Sequence, residues 1–202
     1  MSRKSIFYLI FFACLVVGFY VVLGNIIPGF TKSKFPPIGK VRPFSFLNQD
    51  SIRVTDKDVA GKVYVANYFF TTCKGICPKM NSYVKKIDEH FKDQTGFLIL
   101  SHTSDPAVDD PSVLKKYAEH MQAGKNWIFL TGPKDSLYAQ ARLSYKIDDP
   151  ANNLRNINDD FLHTQFLALV NKKGEVVKIY DGLKQNEVNR LIEDAEKLLK
   201  EN

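Results

Sequence analysis

The chain has 202 residues, 45% of them hydrophobic and 25% charged, with a formal net charge of +6 and three cysteines. That is enough apolar material to fill one domain core without disulfide staples, and it excludes a disordered or fibrous chain. The basic residues are scattered, with doublets at Lys85-Lys86, Lys115-Lys116 and Lys172-Lys173 separated by acidic residues; no dense stripe of the kind a nucleic-acid partner requires is present.

Ile6 to Leu23 is uncharged and almost wholly apolar, near the ~20 residues that span a hydrocarbon core as a helix. Arg3 and Lys4 precede it and favour the cytoplasmic side, which sends the rest of the chain to the opposite face. A cleaved signal peptide would carry a shorter apolar region ending in small residues, and no Ala-x-Ala follows this one. Lipidation at Cys14 is a second alternative, but the apolar run continues well past that cysteine. Residues 1–27 are therefore read as an uncleaved single-pass anchor, with the bacterial inner membrane and a periplasmic domain as the simplest location. Residues 28–43, punctuated by Pro28, Gly29, Pro36, Pro37, Gly39 and Pro43, show neither helical nor strand period and read as a linker. Residues 44–202 are the domain.

Within it, Phe44 to Val54 alternates around the polar Asn48-Gln49-Asp50-Ser51, a hairpin signal. Val63 to Phe70 is β-branched and aromatic, as in a buried central strand. After Pro78, which a first helical turn tolerates, Met80, Tyr83, Val84, Ile87 and Phe91 recur at helical spacing. Gly96 to His102 predicts a second strand. Asp110 caps a helix with Pro111 at its first position and Val113, Leu114, Tyr117, Ala118 and Met121 on one face. Trp127–Leu130 is a third strand, Ser136–Leu143 a short helix, and the Asn/Asp-rich Ser144–Phe161 a loop. Gln165–Val170 and Glu175–Tyr180 flank Asn171-Lys172-Lys173-Gly174, a hairpin with its turn residues in place. Val188, Leu191, Ile192, Ala195, Leu198 and Leu199 mark a final amphipathic helix. Strands alternating with helices imply an α/β sheet covered on its faces. A cysteine pair at a strand-to-helix turn, with a hairpin and helix closing the chain, points to a thioredoxin-like architecture.

Cys73 and Cys77 are the chemistry-bearing residues, lying beyond the end of the first central strand, where open α/β sheets place their sites. Amide groups at a helix N-terminus favour an anion, so at least one thiol should ionise readily, and thiolate is both nucleophile and metal ligand. The pair is wider by one residue than the Cys-x-x-Cys of thioredoxin-type oxidoreductases. It can close a disulfide, hold a soft metal, or do both at different times. Two thiolates and an imidazole suit copper; a structural zinc site would want a fourth protein ligand. His163, just before the strand at Gln165, is the best third donor, whereas His90 and His120 sit near helix ends where the local charge explains them. His102 ends a strand at the same sheet edge as the cysteines and is a weaker candidate for a supporting role. A peroxidase of the Pro-x-x-x-Thr-x-x-Cys kind is a weaker reading, since Phe70 and Ala66 stand at the corresponding places. A purely structural disulfide closing so short a loop would add little stability.

Three spaced signals, Cys-x-x-x-Cys-Pro after an aromatic strand, Ser-His-Thr-Ser-Asp105-Pro106 followed by Asp-Pro-x-Val-Leu-Lys-x-Tyr, and His163-Thr164 before a strand ending in Gly-Glu, together resemble the Sco/SenC family over roughly Pro43 to Lys200. The resemblance implies a thioredoxin-like domain on a membrane tether that binds a copper ion and helps assemble the copper centre of cytochrome c oxidase. Cys73, Cys77 and His163 would then be the copper ligands, Asp105 would belong to an outer shell, and Cys73–Cys77 would be a redox-active pair whose disulfide gates copper loading. The implied partners are a copper-accepting oxidase subunit and a thioredoxin-like reductant. The alternative on the same residues is a thiol–disulfide oxidoreductase that reduces partner cysteines. Thr72 and Lys74, flanking the first cysteine, and Leu162 before the histidine depart from residues common in the family.

Overall fold

In the computed structural model, which describes residues 2–26, 36–148, 162 and 164–201, the N-terminal apolar run forms helix α1, Arg3–Ile26. It is long and apolar enough to cross a membrane, and Phe7, Leu9, Phe12, Val17 and Tyr20 along it are exposed. The second unit, residues 37–202, carries the sheet.

The predicted hairpin is β2, Ser45–Asn48, paired antiparallel with β3, Arg53–Thr55. Asn48 makes its turn, its side-chain oxygen accepting from the amides of Asp50 (2.9 Å) and Ile52 (2.8 Å), as Asn does in tight turns. The apolar run becomes β4, Val63–Phe69, every residue of which is buried. There follow α2, Cys77–His90; β5, Phe97–Thr103; α3, Pro111–His120; β6, Trp127–Thr131; α4, Lys134–Ala139; β7, Phe166–Val170; β8, Glu175–Asp181; and α5, Gln185–Lys200. Preceding all of these, Gly39–Lys40 form a two-residue strand, β1. The eight strands make one sheet in the order β1-β8-β7-β4-β5-β6-β2-β3. β4, β5 and β6 run parallel, and β7 and β8 return antiparallel beside β4. This is the thioredoxin-like α/β arrangement expected from the alternation of strands and helices.

Two segments differ from expectation. Gly39 and Lys40 lie in the stretch read as lacking strand period, yet they pair with Val176 and Glu175 at the edge of β8, supported by Ile38 N–H to Val176 O (2.7 Å) and Val41 N–H to Gly174 O (2.8 Å). Two residues are too few for a period to show; the free edge of β8 supplies the order. The predicted helix Ser136–Leu143 starts at Lys134 and runs on as a π-helical turn, Gln140–Tyr145. Tertiary packing extends it. Ala141 and Tyr145 join the core, and buried Arg142 is paired by Nε to Asp148 at 2.7 Å and lies over the Tyr138 ring. The remainder of the expected loop, 149–161, falls outside the described residues.

The three parallel strands are stitched internally by polar groups. Trp127 Nε1 donates to Ser101 Oγ (2.8 Å), which donates to Asn67 Oδ1 (2.7 Å), a buried chain spanning β6, β5 and β4. The alternate residues Tyr64, Ala66 and Tyr68 enter one core cluster with Phe46, Leu100, Tyr138 and Tyr145. His102 lies in that layer, stacked on Tyr68 (4.9 Å) and edge-on to Phe46 (5.7 Å). Burial among these rings pulls its pKa down to about 4, because an imidazolium there would lose its hydration.

Two outcomes follow from this packing. Leu114 is the one buried residue of α3, so Leu114→Ala should destabilise the domain by about 2–5 kcal/mol, read as a lower urea midpoint with an unchanged slope. His102 is harder to protonate when folded than when unfolded, so its contribution is complete above about pH 6.5 and is lost as pH falls toward 4. The unfolding midpoint of His102→Phe should therefore vary less over that range than that of the wild type; parallel curves would contradict a neutral, buried ring.

Candidate metal and thiol site

β4 ends at Phe69 and α2 begins at Cys77, so the loop 70–76 must turn the chain from the sheet edge into a helix. Cys73 N–H bonds back to Phe70 O (3.2 Å), a tight turn that sets the first thiol over the second. Ile76 provides no side-chain cap, and Pro78 occupies the first turn, which leaves the amides at this helix start aimed at the cysteines. Both cysteines are free thiols; Cys73 is half-buried and Cys77 buried.

The two sulfurs share one hydrogen bond, and their environments push them in opposite directions. Burial alone would raise the pKa of Cys73, but the thiol of Cys77 and the amides of Cys77, Gly75 and Ile76 all donate to it and together hold it below the value of a free thiol. For Cys77, deeper burial first and the bond it donates to Cys73 second push the pKa up to about 12. The pair is thus one accessible, thiolate-prone sulfur backed by one protonated sulfur, an asymmetry that suits attack through Cys73.

Position 163 lies outside the described residues, so the expected third ligand is not placed. Its neighbours are. Leu162 and Thr164 are buried and line a small pocket together with Tyr68, Phe69, Phe70, Ile76, Cys77 and Ser104. Leu162 N–H donates to Tyr138 Oη (3.1 Å) and Thr164 Oγ1 donates to Ile147 O (2.7 Å), which fixes the chain on each side. Among the described residues no group of three or more His, Cys, Asp or Glu side chains could hold a metal ion. The donor set present, two mutually bonded thiols beside a pocket walled by the flanks of His163, fits a soft cation rather than a hard one.

Asp105 is half-exposed and acts here through its backbone. Its N–H donates to Thr103 Oγ1 (2.9 Å), and its carbonyl accepts from Val108 (3.1 Å) and Asp109 (2.9 Å). The carboxylate that reaches the cysteine loop is Asp109, fully buried, accepting from the amide of Thr71 at 3.1 Å and from the hydroxyls of Thr71 and Thr103. Sequence reasoning passed over it because its neighbour Asp110 already explained an acid at this helix start, accepting from the amides of Ser112 and Val113. The doublet itself was the signal, since one of the two acids had no capping role left. Helical spacing places Tyr117 only on a helix face, yet it too borders the site. Its ring stacks on Phe69 (5.1 Å) and its hydroxyl accepts from Asn81 Nδ2 (2.8 Å). Burial, offset in part by Asn81, and the nearby Cys77, Cys73 and Asp109 raise its pKa.

Comparison with known proteins shows the family and the fold. The SCO1/SenC family profile matches residues 35–200. A relative named SCO1 protein homolog, from Bacillus subtilis, is 31% identical over 172 residues, covering 83% of this chain and 86% of its own. Among solved structures, BsSco, described as a member of the Sco family of cytochrome c oxidase assembly proteins with a disulfide switch, is 29% identical at a TM-score of 0.69 and covers 83% of this chain and 98% of its own. Arabidopsis thaliana ScoI, solved with copper bound, is 25% identical at a TM-score of 0.62, covering 81% and 98%.

The asymmetry of the thiols is directly measurable. In the reduced protein, iodoacetamide should modify Cys73 well before Cys77, and the rate at Cys73 should stay high below the pH at which a free thiol, near pKa ~8.5, protonates. Mass spectrometry of timed digests reports both sites; equal rates would contradict the arrangement.

Proposed function

The chain belongs to the SCO1/SenC family, and we propose that it is a membrane-tethered copper-binding protein that assists assembly of the copper centre of cytochrome c oxidase. Copper is its cargo, held by Cys73, Cys77 and His163. One observation carries the reading most: the residues on both sides of His163 wall the same pocket as Cys77, although they are remote from it in sequence. The names of the relatives support it, since Arabidopsis thaliana ScoI has been solved with copper bound and BsSco is described as a cytochrome c oxidase assembly protein. Helix α1, with Arg3 and Lys4 at its start, supports the tether, the domain then lying on the extracytoplasmic side of a bacterial inner membrane.

The chemistry of the pair bears on when copper is held. A disulfide has no thiolate to offer, so oxidation of Cys73 and Cys77 empties the site and reduction restores it. The thiolate-prone Cys73 is the sulfur a thioredoxin-like reductant or an incoming cuprous ion meets first; Cys77 gives up its proton on ligation. The coarse division into anchor, linker and domain belongs to the same proposal, with the domain beginning ahead of residue 44 because β1, Gly39–Lys40, pairs with β8.

Titration of the reduced protein with Cu(I) under anaerobic conditions should load one ion per chain, and His163→Ala should weaken binding about tenfold or more while leaving the unfolding midpoint close to that of the wild type. Binding equally tight in the variant would remove His163 from the ligand set.

A second reading uses the same thiols. The partial exposure and lowered pKa of Cys73 against the burial and raised pKa of Cys77 is the arrangement of a thiol–disulfide exchanger. On that reading, Cys77→Ser should trap a mixed disulfide with a partner through Cys73 in cells, and Cys73→Ser should not. Absence of any trapped species from Cys77→Ser would favour copper carriage alone.

A further inference from the structure

The buried carboxylate of Asp109 is more specific than stability requires. A buried carboxylate is tolerated where several donors satisfy it, but an apolar side chain of similar volume would serve the fold equally well. Asp109 is held from the sheet side. Thr103, at the end of β5, donates its hydroxyl to it at 2.5 Å, and the Asp109 amide bonds to Asp105 O at 2.9 Å. Asp105 in turn donates to Thr103 Oγ1 (2.9 Å), and Ser104 N–H bonds to Phe69 O (2.7 Å), tying the ends of β4 and β5 together. From this fixed point Asp109 accepts both the amide and the hydroxyl of Thr71, two residues before Cys73. Thr71 is therefore clamped on two donors at once, in the segment that has to present Cys73 to Cys77.

We propose that Asp109 is a positioning residue for the thiol pair. Acting through Thr71, it holds the loop 70–76 in the one conformation in which the two sulfurs face each other, so that both affinity for a soft cation and the speed of disulfide closure depend on it. The first consequence rests on the copper reading above; the second does not. For closure, the Cys73 thiolate first attacks oxidised glutathione, whose S–S bond breaks to give a Cys73–glutathione disulfide and one glutathione thiolate. Cys77 then gives its proton to solvent, its thiolate attacks the Cys73 sulfur, a Cys73–Cys77 bond forms as the Cys73–glutathione bond breaks, and the second glutathione leaves as its thiolate with the bonding pair. The oxidant is the glutathione disulfide, and the second step is unimolecular, governed by how well the two sulfurs are held together.

The test uses the full chain and four variants, Thr71→Val, Thr71→Ser, Thr103→Val and Asp109→Asn, with two functional readouts, Cu(I) affinity by competition with a cuprous chelator and the rate of the closure step with oxidised glutathione, beside the unfolding midpoint. Thr71→Val should lose about tenfold or more in each, and Thr71→Ser, which keeps the hydroxyl, should stay within about twofold of the wild type. Thr103→Val removes the sheet-side donor that holds the same carboxylate, and should lower the unfolding midpoint and reduce both functional readouts by a smaller factor than Thr71→Val does. A merely structural carboxylate would instead lower the midpoint of Thr71→Val with affinity and closure unchanged, and that result overturns the proposal. Should Asp109→Asn fail to fold, the Thr71 pair still decides. If the wild type takes up no Cu(I), the copper reading falls, while the closure rates continue to test the positioning role.

Discussion

The site depends on one alignment, the flush ending of two parallel strands. Phe69 of β4 lies opposite Thr103 of β5, and the next amide along, that of Ser104, closes on Phe69 O. Because the strands finish together, the loop leaving β4 with the cysteines and the loop leaving β5 with Asp105 and Asp109 emerge side by side. A slip of one residue would turn every side chain of one strand to the opposite face. It would separate Thr71 from its carboxylate and move His102 out of the aromatic layer. Full burial of β4 and β5 on both faces is what makes such a slip costly, and the Asn67–Ser101–Trp127 chain fixes the same register from inside the core.

Around that alignment, the helix start and the depth of burial divide labour between two identical side chains. Cys73 sits where amides converge and solvent still reaches; Cys77 sits under it at the first residue of α2. The same covalent group is stabilised as an anion at one position and as a neutral thiol four residues later. A disulfide exchanger needs that inequality, since one sulfur attacks first and the other resolves. A metal clasp needs only that both sulfurs can turn toward one point, which their mutual hydrogen bond already requires. The two chemistries are compatible because they use the same geometry in different oxidation states.

The opposite face of the central strands does different work. His102 is at the same edge as the thiols, yet its ring is sealed between Tyr68, Phe46 and Tyr145, away from any position from which it could serve as a ligand. The histidine nearest the site by strand register is thus part of the core, while His163 stands in the stretch whose buried flanks, Leu162 and Thr164, border Cys77. Alternation along β5 decides this: residues 101 and 103 point to the face carrying Asn67 and Asp109, and 102 points away from it.

Much was legible in the sequence because it is local. The continuous apolar runs of β4 and β5, the helical spacing after Pro78, the Asp110 cap and the Asn171–Gly174 turn each reflect forces acting within a few residues, so order and type of element could be read, as could the thiol pair at a strand-to-helix turn. The spacing of Cys73 and Cys77 and the aromatic strand before them also pointed to the family. What the sequence could not determine alone is what depends on contacts between distant segments. β1 exists because β8 offers an edge, and the π-helical turn after α4 exists because Ala141, Arg142 and Tyr145 find partners in the core. Asp109 reaches Thr71 only after β4 and β5 have paired, and the pKa values of the two thiols separate only when the loop has been folded onto the start of α2. Hydrogen bonds and desolvation act over a few ångströms in space, and no spacing along the chain specifies which residues will come that close.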